Sequence, residues 1–281
     1  MRRGHFSEII KNTELDIKAE YNRLFDMFYL EKPFTDGVFD EYSLCDYIDK
    51  TFLSFPFRGT CVSLEDFDRT HSFIFEQQPR DFDIDYLINF CEYSYNLTMY
   101  LQVGQPYDFI YLLDNRDFIN KYLQQVNEVI NKLRYRIINE GGLNKFVPNS
   151  IFVEEAVNVS DKSIEERLYE YNHFSYKGDL AKKKDTLLAI YDKMTANESE
   201  LKSINKELSN NLAFAFNNLN LRHNNVDNTS KDFQEATSEM SEEEMEKWYD
   251  DIYQLCLLAI IEVGNIQRKK ELKDLQQKYR G

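Results

Sequence analysis

Residues 241–266 read SEEEMEKWYDDIYQLCLLAIIEVGNI, and this stretch indicates the fold class of the chain. Ser241 and Glu244 have the spacing of a capping box, in which a serine side chain and a carboxylate three residues later satisfy backbone amides at the start of a helix. Apolar residues then recur every three or four positions, as they do on one face of a helix. They are Met245, Trp248, Ile252, Leu255, Ala259, Val263 and Ile266. The stretch therefore predicts a long last helix that continues to about Arg280, with a basic end that projects beyond its neighbours.

Start signals upstream of this stretch predict three further helices. Ser163 and Glu166 form a second capping-box pattern, and Asp179 is a suitable first residue for the next helix. A third helix is expected to cover residues 197–225. Four helices of this length joined by short connectors pack as an up-down bundle, and we expect a four-helix bundle for residues 146–281.

The first half of the chain also has helical spacing, so residues 1–145 are expected to form a separate N-terminal helical domain. Between the halves, Gly141 and Gly142 begin a connector in which a short strand pair is expected. Only 9 Gly and 5 Pro are present, too few for the turns of a β-sandwich or barrel. The predicted fold class is therefore all-α. The N-terminal helices are expected from Thr13 to before Pro33, from Ser43, from Asp83 to about Val103 and from Asp114 to about Asn139.

The charge balance argues against a basic nucleic-acid-binding module. Lys and Arg number 34 against 49 Asp and Glu, which gives a net charge of −15, and local basic clusters such as residues 182–184 are typical of solvated helix faces. The first residues contain no apolar leader segment. The longest apolar run, Leu255–Ile261, is far shorter than the roughly 20 residues that span a bilayer. We therefore expect a cytoplasmic protein that has no membrane partner.

The sequence lacks the common motifs of nucleotide-cofactor enzymes and serine hydrolases: G-x-G-x-x-G, Walker A and G-x-S-x-G do not occur. Glu170 and His173 form one Glu-x-x-His pattern, but a di-iron bundle needs two, and Asn220 stands at the matching position before His223. The chain has only four histidines, and they form no zinc-protease motif. We therefore expect neither a metal site nor a cofactor.

The candidate site consists of four consecutive residues at the end of the third predicted helix: Arg222, His223, Asn224 and Asn225. Arg222 continues an apolar stripe, and His223 lies beside it on the neighbouring row. In one interpretation Arg222 binds a phosphate or another anion and His223 transfers protons. In the other, Arg222 is buried against a bundle carboxylate, because an unpaired buried arginine is costly, and His223 is a surface or core residue. The stripe consists of Leu201, Ile204, Leu208, Leu212, Ala215 and Leu219.

A four-helix bundle with an arginine and a polar residue at the end of its third helix resembles the HEPN superfamily, over about residues 155–281. In that family the arginine is followed by a histidine after four to six intervening positions. Residues 227–229 are Asp, Asn and Thr, so His223 has to take this role here. Arg167 and His173 do have the family spacing, but six positions along a helix place them about 120° apart. His173 is therefore a candidate only if it approaches the site across the bundle.

The resemblance implies a function in bacterial defence. HEPN proteins are often metal-independent ribonucleases of toxin–antitoxin and abortive-infection systems, and they commonly act as dimers. By this resemblance RNA is the expected partner, a homo-oligomer is the expected form, and Arg222 stabilises the phosphorane. His223, with Asn224 or Asn225, orients or transfers the proton of the 2′-hydroxyl.

The alternative hypothesis is a protein without catalysis, namely a sensor, an antitoxin, an adaptor or a phage-encoded inhibitor. The net charge of −15 and the missing motif histidine favour it. A strongly acidic surface is able to occupy a basic channel of a protein partner in a defence system, because opposite potentials attract across an interface. The sequence leaves both hypotheses open.

Overall fold

The chain has mostly helical structure, which confirms the predicted class in its coarse form, with two short antiparallel strand pairs in addition. It divides into two compact units, residues 1–146 and 147–281. None of the helices in the described part combines the length and the apolar character of a bilayer-spanning segment. The helix start predicted at Thr13 lies outside the described residues. The computed structural model describes residues 15–35, 41–73, 75, 83–103 and 109–280.

The first unit is built around aromatic side chains. Tyr21 and Phe28 both pack against Phe90, with ring centroids 5.0 Å and 6.0 Å away, and all three are fully buried. A π-helical turn extends the first helix, and a 3-10 turn extends the second. The elements are α1 (Ile17–Phe25), β1 (Phe34–Thr35), β2 (Glu41–Tyr42), α2 (Leu44–Thr51), α3 (Leu64–His71), α4 (Ile84–Val103) and α5 (Phe109–Lys132).

A β-hairpin follows α5, where apolar spacing predicted that the helix continues to Asn139. The hairpin consists of β3 (Tyr135–Glu140) and β4 (Leu143–Pro148). Gly141 and Gly142 connect the strands with φ values of 58° and 93°. Two consecutive positive φ values are what a two-residue hairpin turn requires, and glycine supplies them without strain. The predicted end of this helix is therefore wrong, whereas the strand pair expected at the junction is present.

The second unit surrounds one long helix, which packs against four others, α6, α8, α9 and α10. Its buried side chains include Met245, Tyr249, Ile252, Tyr253, Cys256, Leu257, Ala259 and Ile260. The elements are α6 (Ile151–Val159), α7 (Glu165–Glu170), α8 (Leu180–Thr195), α9 (Glu198–Ile204), α10 (Lys206–Asn218), α11 (Glu235–Ser238) and α12 (Glu242–Arg280), with 3-10 turns at Lys162–Ile164 and Phe174–Tyr176.

Three capping residues were predicted for helix starts in this unit, and two of them are confirmed. The Ser241 hydroxyl accepts the Glu244 amide at 3.2 Å, and the Ser241 amide donates to the Glu244 carboxylate at 2.9 Å. Asp179 accepts the amide three residues later at 3.0 Å. The capping box predicted at Ser163 is wrong, because Asp161 accepts the Ser163 amide at 2.8 Å and starts a 3-10 turn ahead of α7.

The third predicted helix, residues 197–225, is interrupted and ends early. Asn205 separates α9 from α10 and caps α10, since its Oδ1 accepts an amide three residues later at 3.0 Å. After α10 the backbone of Asn220 has a φ of 54°, which lies in the left-handed region. Residues 219–234 therefore form an irregular loop.

Close packing of α6 on α12 depends on a glycine. A Cβ added to Gly264 would lie 2.4 Å from the Cβ of Val159, a separation that real side chains do not adopt. The two helices approach each other at this point because one of them has no side chain there.

Gly264→Ala is expected to destabilise the second unit by about 1–3 kcal/mol from overpacking, reduced by the ~1 kcal/mol that alanine gains over glycine within a helix. Val159→Gly/Gly264→Ala places the glycine on the other helix. Its loss of unfolding free energy should be smaller than the sum of the two single losses in urea titrations followed by circular dichroism. Additive losses would show that the close approach is unimportant.

Candidate functional site

The four residues singled out by the sequence lie on the loop formed by residues 219–234, not on a helix. Arg222 and Asn224 are exposed, His223 is partly exposed, and Asn225 is fully buried. The prediction that these residues lie on one face of a helix is therefore wrong, because α10 has already ended. The interpretation in which Arg222 is buried against a bundle carboxylate is wrong as well.

Arg222 lies against an aromatic pair. Its Cζ is 5.8 Å from the ring centroid of Tyr191, which stacks on Phe216 at 3.9 Å. The Arg222 amide donates to the Phe216 carbonyl at 2.9 Å. Burial raises the pKa of Tyr191, and the nearby guanidinium offsets part of this rise. A cation over an aromatic face is attracted by the ring quadrupole, so Arg222 presents a positioned positive charge at the surface.

His223 faces a carboxylate of the same loop. Its Nδ1 lies 3.4 Å from Oδ2 of Asp232, and the two side chains are 40% and 34% exposed. A carboxylate beside one ring nitrogen fixes the orientation of an imidazole, whose other nitrogen then serves for proton transfer. Asn224 accepts the Asp227 amide at 3.2 Å and keeps its side chain at the surface. The outer side of the loop therefore offers a cation, an imidazole and an amide.

Asn225 joins the two ends of the loop. Its Oδ1 accepts the Asn220 amide at 2.8 Å, and its Nδ2 donates to the Asp232 carbonyl at 2.6 Å. Its own carbonyl accepts the Gln234 amide at 2.9 Å. A side chain with no exposed surface does not contact a substrate. Asn225 is therefore a positioning residue for the loop.

His173 does not approach these residues. It is 6% exposed, and its Nδ1 lies 2.8 Å from the Ser175 hydroxyl in the turn before α8. The Ser175 carbonyl accepts a hydrogen bond from Lys182 near the start of α8, at 3.4 Å, whereas Arg222 contacts α8 at Tyr191. Those two contacts are about 13 Å apart along a regular helix. Within the described ranges, no three His, Cys, Asp or Glu side chains come together as a metal site needs.

A charge cluster around the buried Lys183, which sequence analysis missed, lies between α8 and α12. Lys183 is 5% exposed, and its Nζ lies 2.8 Å from Glu246 and 2.6 Å from Asp250. The Tyr171 hydroxyl donates to the same Asp250 oxygen at 3.0 Å. The basic run around Lys183 predicted a solvated face. Lys183 lies four residues before the buried Leu187, and this spacing is the signal that places it on the inner side of α8.

The contacts of the Lys183 cluster join α8 to α12. One ammonium group lies between two carboxylates, and the Glu246 carboxylate also accepts the Gly178 amide at 2.7 Å. Tyr171 stacks on Tyr253 at 4.1 Å beside it. The buried ammonium of Lys183 would be left uncompensated without these carboxylates, so the cluster ties α8 to α12.

A groove of about 900 Å³ opens in the first unit and is lined by aromatic and acidic side chains. Its carboxylates already act within the fold. Asp49 accepts the Leu64 amide at 2.9 Å, and Asp68 accepts the Tyr93 hydroxyl at 2.7 Å. These two carboxylates of the groove are therefore engaged in hydrogen bonds that hold the first unit together.

Asn225→Ala is expected to lower the free energy of unfolding by about 1–3 kcal/mol, because the partly buried Asn220 amide and Asp232 carbonyl lose their partner. Asn224→Ala is the matched control and should stay within about 0.5 kcal/mol of the unsubstituted chain, since its side chain is exposed. Urea titrations of both variants test this. Equal losses would contradict the positioning role of Asn225.

The Lys183 cluster also predicts an acid-dependent stability. Hydrogen bonds from Lys183 and the Gly178 amide hold the pKa of Glu246 below its usual value. The stabilisation of the fold by the Glu246 carboxylate is therefore present above the pKa of the unfolded chain, about 4.5. It is lost as the pH falls through the lowered pKa of the folded protein. Glu246→Gln should reduce the slope of unfolding free energy against pH in this window. Glu243→Gln, at an exposed position, should leave the slope unchanged, and equal slopes in all three proteins would refute the assignment.

Comparison with known proteins adds no relative: no family model, no curated protein and no solved structure matches this chain. The resemblance to the HEPN superfamily therefore rests on Arg222, His223 and the order of the helices, and it stays a prediction.

Proposed function

We propose that this protein is a non-catalytic interaction protein of a bacterial or phage-encoded defence system, and that it binds through the outer end of α12. We call residues 268–280 the α12 arm. From residue 268 to residue 279 every side chain is exposed. Leu272, Leu275 and Tyr279 are nevertheless apolar or aromatic, with exposed fractions of 55%, 49% and 85%. This exposed row of large side chains carries the proposal.

The physical argument is that the α12 arm is the solvent-exposed end of a longer helix, Glu242–Arg280. Most of the stability of helices in proteins comes from packing of one face, and the arm has no such packing within the described part of the chain. Leu272, Leu275 and Tyr279 follow each other at intervals of three and four, which aligns them on one face. Amphipathic helices that bind grooves or other helices present their anchors at this spacing.

The net charge of the α12 arm is opposite in sign to that of the whole chain. The arm contains six Lys and Arg residues against two Asp and Glu, whereas the whole chain has a net charge of −15. A basic arm on an acidic protein favours a partner surface that combines apolar contacts with negative charge.

The HEPN-like bundle in residues 146–281 and the defence context belong to the same proposal. They are supported by the packing of α6, α8 and α10 on the long α12, and by the position of Arg222 and His223 between α10 and α12. The absence of catalysis is supported by the distance of His173 from the loop, because His173 is then not placed to act with His223 in proton transfer.

A metal-independent endoribonuclease is the second candidate, and the contact between His223 and Asp232 favours it. In this function Arg222 stabilises the negative charge of the phosphorane. His223, oriented by Asp232, takes the proton of the 2′-hydroxyl, and a second copy completes the cleft.

Leu275→Asp is expected to abolish the effect of the protein on host growth and phage plating, whereas Arg222→Ala/His223→Ala should retain this effect. Gln277→Asp is the matched control, because it adds the same charge on the opposite side of the exposed helix. The measurements are growth and phage plating of a bacterial host that expresses each variant, with total RNA analysed on a gel. Loss of the effect and of RNA fragmentation in the Arg222/His223 variant alone would reject the interaction proposal and support the ribonuclease.

A further inference from the structure

We infer that an open cavity in the first unit binds a nucleobase, taken up as a free base or as a nucleoside without phosphate. The cavity has a volume of about 400 Å³, which is within the range of small-molecule sites. It lies between residues 55–57, the second half of α4 and the turn of the β3–β4 hairpin. The inference goes beyond the proposed function and does not depend on it, because that function concerns the α12 arm in the second unit.

Three aromatic side chains belong to the apolar wall of the cavity. Phe55 packs edge to face against Phe57 and Tyr100, with ring centroids 5.7 Å and 5.5 Å apart. Tyr100 is fixed further, because its hydroxyl donates to the Ser54 carbonyl. Rings that are held in this way offer a preformed surface to another flat ring. The apolar lining consists of Phe55, Pro56, Phe57, Met99, Tyr100 and Leu143.

The hairpin turn approaches the ring of Phe57 closely. A Cβ added to Gly142 would lie 3.2 Å from Cζ of Phe57, so the ring packs against bare backbone at this point. Phe57 nevertheless remains 37% exposed. A ring that both lines the cavity and is exposed to solvent is accessible to a ligand that enters.

Three asparagine side chains supply the polar part of the lining. Asn96 of α4 bonds to the backbone of Asn144 in both directions. Its Oδ1 accepts the Asn144 amide and its Nδ2 donates to the Asn144 carbonyl, both at 2.8 Å. The Asn144 side chain in turn accepts a hydrogen bond from Nδ2 of Asn139 at 3.2 Å. The three carboxamides therefore form a connected row whose position is set by the pairing of α4 with β4.

Asn139 keeps hydrogen-bonding capacity for a ligand. It is exposed, and among the described residues its amide oxygen accepts no hydrogen bond, while its nitrogen donates one of its two hydrogens to Asn144. This carboxamide therefore offers an acceptor beside a donor. Nucleobases carry a donor beside an acceptor on their edges, and asparagine binds adenine through two such bonds when it reads DNA.

The lining is uncharged, and this selects the class of ligand. Within the described part of the chain, the cavity is lined by no Lys, Arg, His, Asp or Glu side chain. A phosphate would therefore leave water without meeting an opposite charge, which is costly, and the net charge of −15 opposes an anion further. A neutral heterocycle fits instead, because it places its faces against the rings and its polar edge against Asn139.

Isothermal titration calorimetry of the full chain with adenosine, guanosine, cytidine and uridine tests the inference. At least one nucleoside should bind with a dissociation constant on the order of 100 μM, as expected for a ligand of this size in an open site. Its 5′-monophosphate should bind no more tightly. The absence of binding by all four nucleosides would overturn the inference, and so would a monophosphate that binds about ten times more tightly than its nucleoside.

Two variants separate the amide from the aromatic wall, with toluene as a flat probe that forms no hydrogen bonds. Asn139→Leu should weaken binding of the nucleoside by about tenfold and leave binding of toluene unchanged, because only the nucleoside uses the carboxamide. Phe57→Ala should weaken binding of both probes by about tenfold, because both contact the ring.

Asn131→Leu on α5 is the matched control, since it makes the same substitution at an exposed position outside the lining and should leave both affinities unchanged. Circular dichroism spectra of the variants show whether each one is folded. Nucleoside binding that is unchanged by Asn139→Leu would overturn the inference even if Phe57→Ala fails to fold. Binding of toluene without binding of any nucleoside would overturn it too, because the carboxamides then contribute nothing to recognition.

Discussion

Burial of one face of α12, from Met245 to Ile260, is the constraint on which the second unit depends. α6, α8, α9 and α10 each place apolar side chains against this face, so a shift of any of them opens the core. Two contacts demand more than burial. Gly264 leaves room for Val159, and the ammonium of Lys183 lies between two carboxylates of α12. The apolar face of α12 holds the neighbouring helices, and these two contacts fix where α6 and α8 lie on it.

Local signals in the sequence predicted those parts of the fold that local bonds determine. Ser241 and Asp179 cap helices through amides three residues away, so their role is visible in the sequence itself. The end of α10 is different, because the apolar spacing continues to Leu219 while the backbone leaves the helix at Asn220. The bonds of Asn225 that stabilise this exit connect residues up to nine positions along the chain, and periodicity does not contain them.

The candidate site was predicted by residue type more than by geometry. Arg222 and His223 are adjacent at the surface, as a site would require, but each side chain contacts a different partner, Tyr191 and Asp232. Spacing along a helix gives the direction of a side chain only while the helix continues. Lys183 was missed for a related reason, because a charged residue on an inner face contributes nothing to an apolar pattern.

The 219–234 loop separates the residues that hold it from those that it displays. Three of its hydrogen bonds converge on the buried Asn225, whereas the side chains of Arg222 and Asn224 are exposed. The exposed side chains of this loop are able to change in evolution without loss of the fold. Substitutions at the displayed positions alter recognition one side chain at a time, and the folded population of the protein does not change with each step. A lineage is therefore able to vary the charge and shape of this surface without first acquiring compensating mutations elsewhere.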